Sequence, residues 1–219
     1  MDPSPSEAPR IFELPAHKFR TRLLRLLIRL IKRPIESISG LRACDRVYAR
    51  AWKMPKDIPF SDRAMQAVGV RVNFSAEELQ SIPKEGPVVV VSNHPFGGIE
   101  GVILLSLLRR VRPDVKAMAN FLLGAIPEMR EDFIFVDPFA SKSSTKANLR
   151  PIKESLTWLK EGHLLVVFPS GEVSSFDRRT LRVRDPAWSA SIAALVRKTN
   201  ATVVPMYFPG HNGFLFNLV

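Results

Sequence analysis

Between residues 87 and 207 short apolar runs alternate with segments of helical period, and this alternation leaves the chain few architectures. Pro87–Ser92 is the clearest run. Its four consecutive valines, Val88–Val91, favour extended backbone and need apolar cover on both faces. Glu100–Val111 then reads as a helix, Asp114–Ala119 as a strand and Asp132–Val136 as a short third strand. Thr145–Glu161 has helical period and stops at Gly162, a residue type favoured just past a helix end. His163–Phe168 is a strand, Pro186–Asn200 a helix and Thr202–Tyr207 a last strand. The pattern predicts an α/β fold, a mixed, largely parallel sheet flanked by helices, in which chemistry gathers in the loops at the strand ends.

The chain has 219 residues, 46% of them hydrophobic, which suffices for one ordinary domain with a sizeable core. Lys and Arg number 32 against 21 Asp and Glu, a net charge of +11, which points to an anionic partner. The single cysteine, Cys44, excludes a disulfide scaffold and a thiolate zinc site and fits a reducing compartment. His17, His163 and His211 are scattered, so no metal site is predicted. No stretch reaches the roughly 18 apolar residues of a membrane-spanning helix. Residues 1–17 hold four prolines and three acids without an apolar signal region, and read as a flexible tail.

Residues 18–33 carry seven basic side chains, no acids and eight large apolar ones. On a helical projection Phe19, Leu23, Leu27 and Leu30 fall within one broad arc, and Arg22, Arg25 and Arg29 lie opposite. Pro34 ends the pattern, which makes 18–34 an N-terminal amphipathic helix. Such a helix suits docking in an anionic membrane interface; packing on the protein's own core and binding of nucleic acid are the other readings. An all-basic polar face is unusual for a core helix. No zinc-finger spacing or RNP-like motif supports nucleic acid, so a membrane lipid surface is the expected partner.

Two loops follow apolar strands. In Ser92–Glu100, His94 leaves the valine strand, Gly97 and Gly98 permit a tight turn, and Glu100 falls in the first turn of the next helix. A histidine so placed can act as a general base if a carboxylate fixes its tautomer, and the amides of the glycine turn can stabilise an oxyanion. Taken alone, it reads better as a structural histidine closing a strand, with Glu100 favouring the helix start. The second loop, Phe168-Pro169-Ser170-Gly171-Glu172-Val173-Ser174-Ser175, offers hydroxyls and a carboxylate but no nucleophile elbow. By itself this is a surface loop, and the arginines after it, Arg178, Arg179, Arg182 and Arg184, are a solvated charge run.

Taken in order, Asn93–Glu100, Phe133–Asp137, Phe168–Ser174 and Val203–Pro205 resemble the four blocks of the lysophospholipid acyltransferase superfamily, over roughly residues 60–210. The string NHPFGGIEG resembles the hemolysin-like branch, which includes lyso-ornithine-lipid acyltransferases. The resemblance implies a glycerolipid acyltransferase-like domain over 35–219, with His94 and Glu100 catalytic. It implies an acceptor site built from Asn93, Gly97, Gly98, Phe133, Asp137, Phe168, Pro169, Ser170, Gly171 and Glu172. Ile99 stands where a strict His-x4-Asp would place its acid, and Glu100 follows one residue later. Such relatives usually continue beyond the apolar end at 214–219, so the domain is read as continuing past this chain.

The arginines expected in the second and third blocks are replaced by Asp137 and Val173. A guanidinium suits a phosphate, so the implied acceptor lacks that phosphate, as a lyso-ornithine or related aminolipid does. Arg178 or Arg179 could substitute from the loop. The implied reaction is O-acyl transfer to a lysolipid hydroxyl from an acyl thioester, acyl carrier protein or coenzyme A, without metal or other cofactor. It would take place on the cytoplasmic face of a membrane, with the protein peripheral, in a bacterial inner membrane. Phosphatidic-acid synthesis from a lysophosphatidic acceptor is the alternative within the enzyme class. A non-catalytic lipid-binding protein is the alternative outside it.

Overall fold

The computed structural model describes residues 8–12, 41–136 and 149–213. The basic segment with Phe19, Arg22, Leu23, Arg25, Leu27, Arg29 and Leu30 lies outside the described residues, as does Asp137. The chain forms two compact units, residues 1–71 and 72–219. In the first, helix α1 (Leu41–Lys53) packs on α2 (Phe60–Val68). Tyr48 and Phe60 bring their rings to 5.7 Å. Buried Arg63 satisfies its guanidinium on the carbonyls of Ile58 and Ala51, at 3.0 and 3.1 Å. Among the described residues no helix is long and apolar enough to cross a membrane.

The second unit opens with a one-turn helix, α3 (Ala76–Gln80), followed by the valine strand β1 (Val88–Ser92). Next come helix α4 (Gly98–Leu108), strand β2 (Val115–Asn120), two 3₁₀ turns and strand β3 (Phe133–Val136). Helix α5 (Leu149–Lys160) leads to strand β4 (Leu164–Val167). A short hairpin, β5 (Ser175–Asp177) and β6 (Arg182–Arg184), precedes helix α6 (Ala190–Thr199) and strand β7 (Thr202–Met206). The five-stranded sheet runs β3-β2-β4-β1-β7, and every pairing in it is parallel. The antiparallel component is the separate β5–β6 hairpin.

This order positions the site. The crossover from β1 to β2 moves two places one way along the sheet, while those from β3 to β4 and from β4 to β7 move two places the other way. Right-handed connections therefore put α4 on one face and α5 with α6 on the other. The core agrees: Val89, Leu165, Val167 and Ile134 pack with Leu159 of α5 and Leu195 of α6. Val88, Val90, Leu164 and Val166 alternate toward the opposite face and are equally buried. α4 is apolar nearly all round, and Leu104, Leu105 and Leu108 are fully buried. Because β1 and β4 are neighbours whose chains leave toward opposite faces, a crevice opens at their carboxyl ends. Both loops singled out in the sequence end there.

Two expectations change. The last helix begins at Ala190, because Trp188 turns its indole onto Asp185 and the Ser189 hydroxyl caps the Ser191 amide at 3.3 Å. The stretch after the second loop, expected as an irregular surface run, folds as the β5–β6 hairpin. Arg184 pairs with Asp177 across it at 2.7 Å, and Asp177 also accepts the Arg179 amide at 2.8 Å.

Candidate active site

His94 sits two residues past β1, and its turn is held from three sides. The Asn93 amide pairs in both directions with the Phe208 backbone, beyond β7, at 2.8 Å each way. Asn212 donates to the Pro95 carbonyl at 3.1 Å, and a Cβ on Gly210 would stand 3.2 Å from the Phe96 ring. From the second loop, the Ser174 amide donates to the His94 carbonyl at 2.9 Å. Asp185, at the foot of the hairpin, accepts the His94 amide at 3.2 Å. Gly97 takes φ 96° and ψ −140°, a conformation essentially confined to glycine, and so turns the chain into α4.

The turn brings His94 and Glu100 together. Nδ1 of His94 lies 3.6 Å from Oε1 of Glu100, and the Glu100 side chain is fully buried. The Phe96 amide donates to Oε1 at 2.5 Å, while Oε2 and Nδ1 are buried and, among the described residues, have no hydrogen-bond partner. Phe168, at the carboxyl end of β4, stacks on the imidazole with centroids 4.1 Å apart. The histidine side chain is 16% exposed, and with Nδ1 turned inward its open nitrogen is Nε2. The extra residue in the His-x5-Glu spacing is absorbed in the glycine turn. Glu100, not the half-buried Ile99, therefore faces the ring.

The other predicted residues distribute unevenly. Gly98 opens α4, and Pro169, buried, accepts the Ser189 amide at 2.9 Å. Ser170 bonds the Glu172 carbonyl at 2.8 Å, and Gly171 turns the loop at φ 70°. The Glu172 side chain is exposed. Phe133 opens the edge strand β3 in register with Ala117, and its side chain is buried in the core. Arg178 and Arg179 are exposed on the hairpin turn. Val173 lies over the histidine turn, its Cγ2 3.6 Å from where a Gly97 side chain would begin.

Sequence reasoning missed Asp185 and the 208–212 segment, and gave Ser174 only as one hydroxyl of the second loop. Asp185 takes the Ser174 hydroxyl and the His94 amide on Oδ1 and the Trp188 indole on Oδ2, at 3.1 Å for the indole. The available signal was an acid followed by Pro186 and a tryptophan in a stretch otherwise read as helix. Asn212 carried a weaker signal, an amide in a Pro-Gly-His-Asn-Gly turn just past the last strand.

The profile of a family described as acyltransferase matches residues 16–219. The chain belongs to that acyltransferase family. Its relatives include two lyso-glycine lipid O-acyltransferases. That of Phocaeicola vulgatus is 25% identical over 78% of this chain and 59% of its own length. That of Bacteroides thetaiotaomicron is 28% identical over 74% of this chain and 57% of its own length. The chain thus spans less than two thirds of these relatives. A crystal structure of the 1-acyl-sn-glycerophosphate acyltransferase PlsC from Thermotoga maritima aligns over 82% of this chain and 72% of that one. The identity there is 21% and the TM-score 0.43.

Proposed function

We propose that this acyltransferase moves a fatty acyl group from an acyl thioester to the hydroxyl of a lyso-aminolipid, with His94 as general base. The observation that carries the reading is the buried Glu100 carboxylate at Nδ1 of a partly exposed histidine just past the carboxyl end of β1. Nε2 takes the acceptor's hydroxyl proton as that oxygen attacks the thioester carbonyl. The carbon–sulfur bond then breaks, and the imidazolium returns the proton to the departing thiolate, giving an ester and a free thiol. Glu100, with one oxygen fixed by the Phe96 amide and the other unpaired among the described residues, holds negative charge where the imidazolium forms. A separation of 3.6 Å is longer than a formed hydrogen bond, and closes by a sub-ångström shift when substrate binds.

The aminolipid acceptor rests on Val173. Phosphate-accepting members of the resembled superfamily carry an arginine at this block position, and here an apolar side chain covers the histidine turn. The names of the two bacterial relatives point the same way. The thioester donor is acyl carrier protein or coenzyme A, whose negative charge suits a chain of net charge +11. Residues 18–33 dock the protein peripherally on the cytoplasmic leaflet, so that the acceptor's chain stays in lipid while its head enters the crevice.

The test is acyl transfer in mixed micelles from a labelled long-chain acyl-carrier-protein or coenzyme A thioester. Lyso-glycine lipid, lyso-ornithine lipid and lysophosphatidic acid are offered separately, to wild type and to His94→Ala. Acylation of the aminolipids, abolished by the substitution, is expected. Preferred use of lysophosphatidic acid would overturn the acceptor, and activity surviving in His94→Ala would overturn the base. No transfer from either donor would favour a lipid-binding protein.

A further inference from the structure

We infer that Asp185 is a positioning residue that sets the reactive histidine through its backbone, an inference resting on the role proposed for His94. β1 ends at Ser92, so the backbone groups of His94 have no strand partner and must be satisfied in the loops. Both are taken by one closed ring of hydrogen bonds. The His94 amide donates to Oδ1 of Asp185, and the Ser174 hydroxyl donates to the same oxygen. The Ser174 amide returns a bond to the His94 carbonyl at 2.9 Å. Oδ2 is held in turn by the Trp188 indole at 3.1 Å, which fixes the plane of the carboxylate.

This ring carries the geometry because the imidazole itself is weakly tethered. Glu100 stands 3.6 Å from Nδ1, and Phe168 stacks on the ring face, which limits its tilt without fixing its place in the plane. Among the described residues, the directional bonds to His94 are those to its backbone. Asp185 therefore joins the two loops of the crevice, one carrying His94 and the other Ser174, into a single frame. Loss of the carboxylate frees the turn to move relative to Phe168 and Glu100. A displacement near 1 Å costs on the order of 10²-fold in rate.

A swap of one acceptor oxygen for an amide tests the frame. In Asp185→Asn the new NH2 must face a donor, either the Trp188 indole or the His94 amide. Trp188→Phe removes one of those donors and lets the asparagine oxygen serve His94. We expect Asp185→Ala to lower kcat about 100-fold with KM for donor and acceptor changed less than about 3-fold. Asp185→Asn should lose about 10-fold in kcat. Asp185→Asn with Trp188→Phe should return to within about 2-fold of Trp188→Phe alone. Hydrogen exchange at the His94 amide, followed alongside thermal unfolding, should quicken in Asp185→Ala and recover in the double variant. Wild-type kcat in folded Asp185→Ala, or no recovery in the double variant, overturns the inference. If the wild type transfers no acyl group, the proposed reaction falls by itself. Unchanged exchange at His94 in Asp185→Ala would then reject the frame independently of catalysis.

Discussion

The sheet carries a histidine–carboxylate pair at each end, and the two differ in what surrounds them. At the amino ends of β2 and β4, Nδ1 of His163 meets Oδ2 of Asp114 at 2.9 Å, and the imidazole lies 4.1 Å from the Trp158 ring. At the carboxyl ends of β1 and β4, His94 faces Glu100 at 3.6 Å and the Phe168 ring at 4.1 Å. By distance alone the first pair is the better dyad. Its carboxylate, however, is already engaged by Arg112, whose Nε donates to Oδ1 at 2.8 Å and whose Nη2 donates to Oδ2 at 2.5 Å. The same buried guanidinium reaches the carbonyls of Pro83, Gly86 and Gly162, which ties together the loops that enter β1, β2 and β4. A group whose demands are met is structure. The pair whose nitrogen and buried oxygen have no partner among the described residues has capacity left for a substrate.

The comparison breaks if the two histidines prove interchangeable. His94→Ala should lower turnover by about 10³-fold or more, against less than about 3-fold for His163→Ala under the same assay. Comparable losses would end the distinction between the two ends. Arg112→Ala should do the converse. It removes about 3 kcal/mol of stability, read as a fall of roughly 6–12 °C in the thermal midpoint, with turnover per folded molecule retained. Glu100→Gln sharpens the contrast further. It should cost about 30-fold in kcat, about 2 kcal/mol, while unfolding stability holds or rises, because a buried carboxylate with one oxygen unpaired is itself unfavourable. A matching loss of stability would mean that Glu100 is as structural as Asp114.

Much of this was legible in residue order. The valine run, Gly162 at φ 90° after α5 and the apolar segments between them placed each strand of the parallel sheet within a residue or two. The proximity of His94 and Glu100 could be anticipated because a strand, a glycine turn and a helix start are local features, and one acid in a first helical turn has few places to point. The rest depended on contacts between distant segments. Asp185 reaches His94 across 91 residues and Phe208 reaches Asn93 across 115, and neither partner has a local pattern that announces it. The hairpin was missed for a related reason. Its strands are three residues each, too short for alternation to show, and an Asp177–Arg184 pair closes them where the sequence shows only a run of arginines. Phe133 differs in the opposite sense: its block motif is local, while its side chain is buried in the core.

The smallest expected effect concerns acid. The Arg112 guanidinium, and with it the His163 ring, hold the Asp114 carboxyl at about 2 against an ordinary 3.8, in spite of the upward push of burial. Protons therefore bind the unfolded chain first. The stability contributed by this carboxylate is complete above the ordinary value and is lost as pH falls from 3.8 through about 2. Solvent screening at this partly open cluster reduces the contribution to about 1 kcal/mol. Denaturant unfolding of wild type and Asp114→Asn between pH 2 and 6 should show a gap of about that size at the upper end, closing toward the lower. A gap that stays constant to pH 2 would assign the strength of the amino-end pair to shape rather than charge. The two ends of the sheet would then differ in packing, and no longer in whether their carboxylates are already engaged.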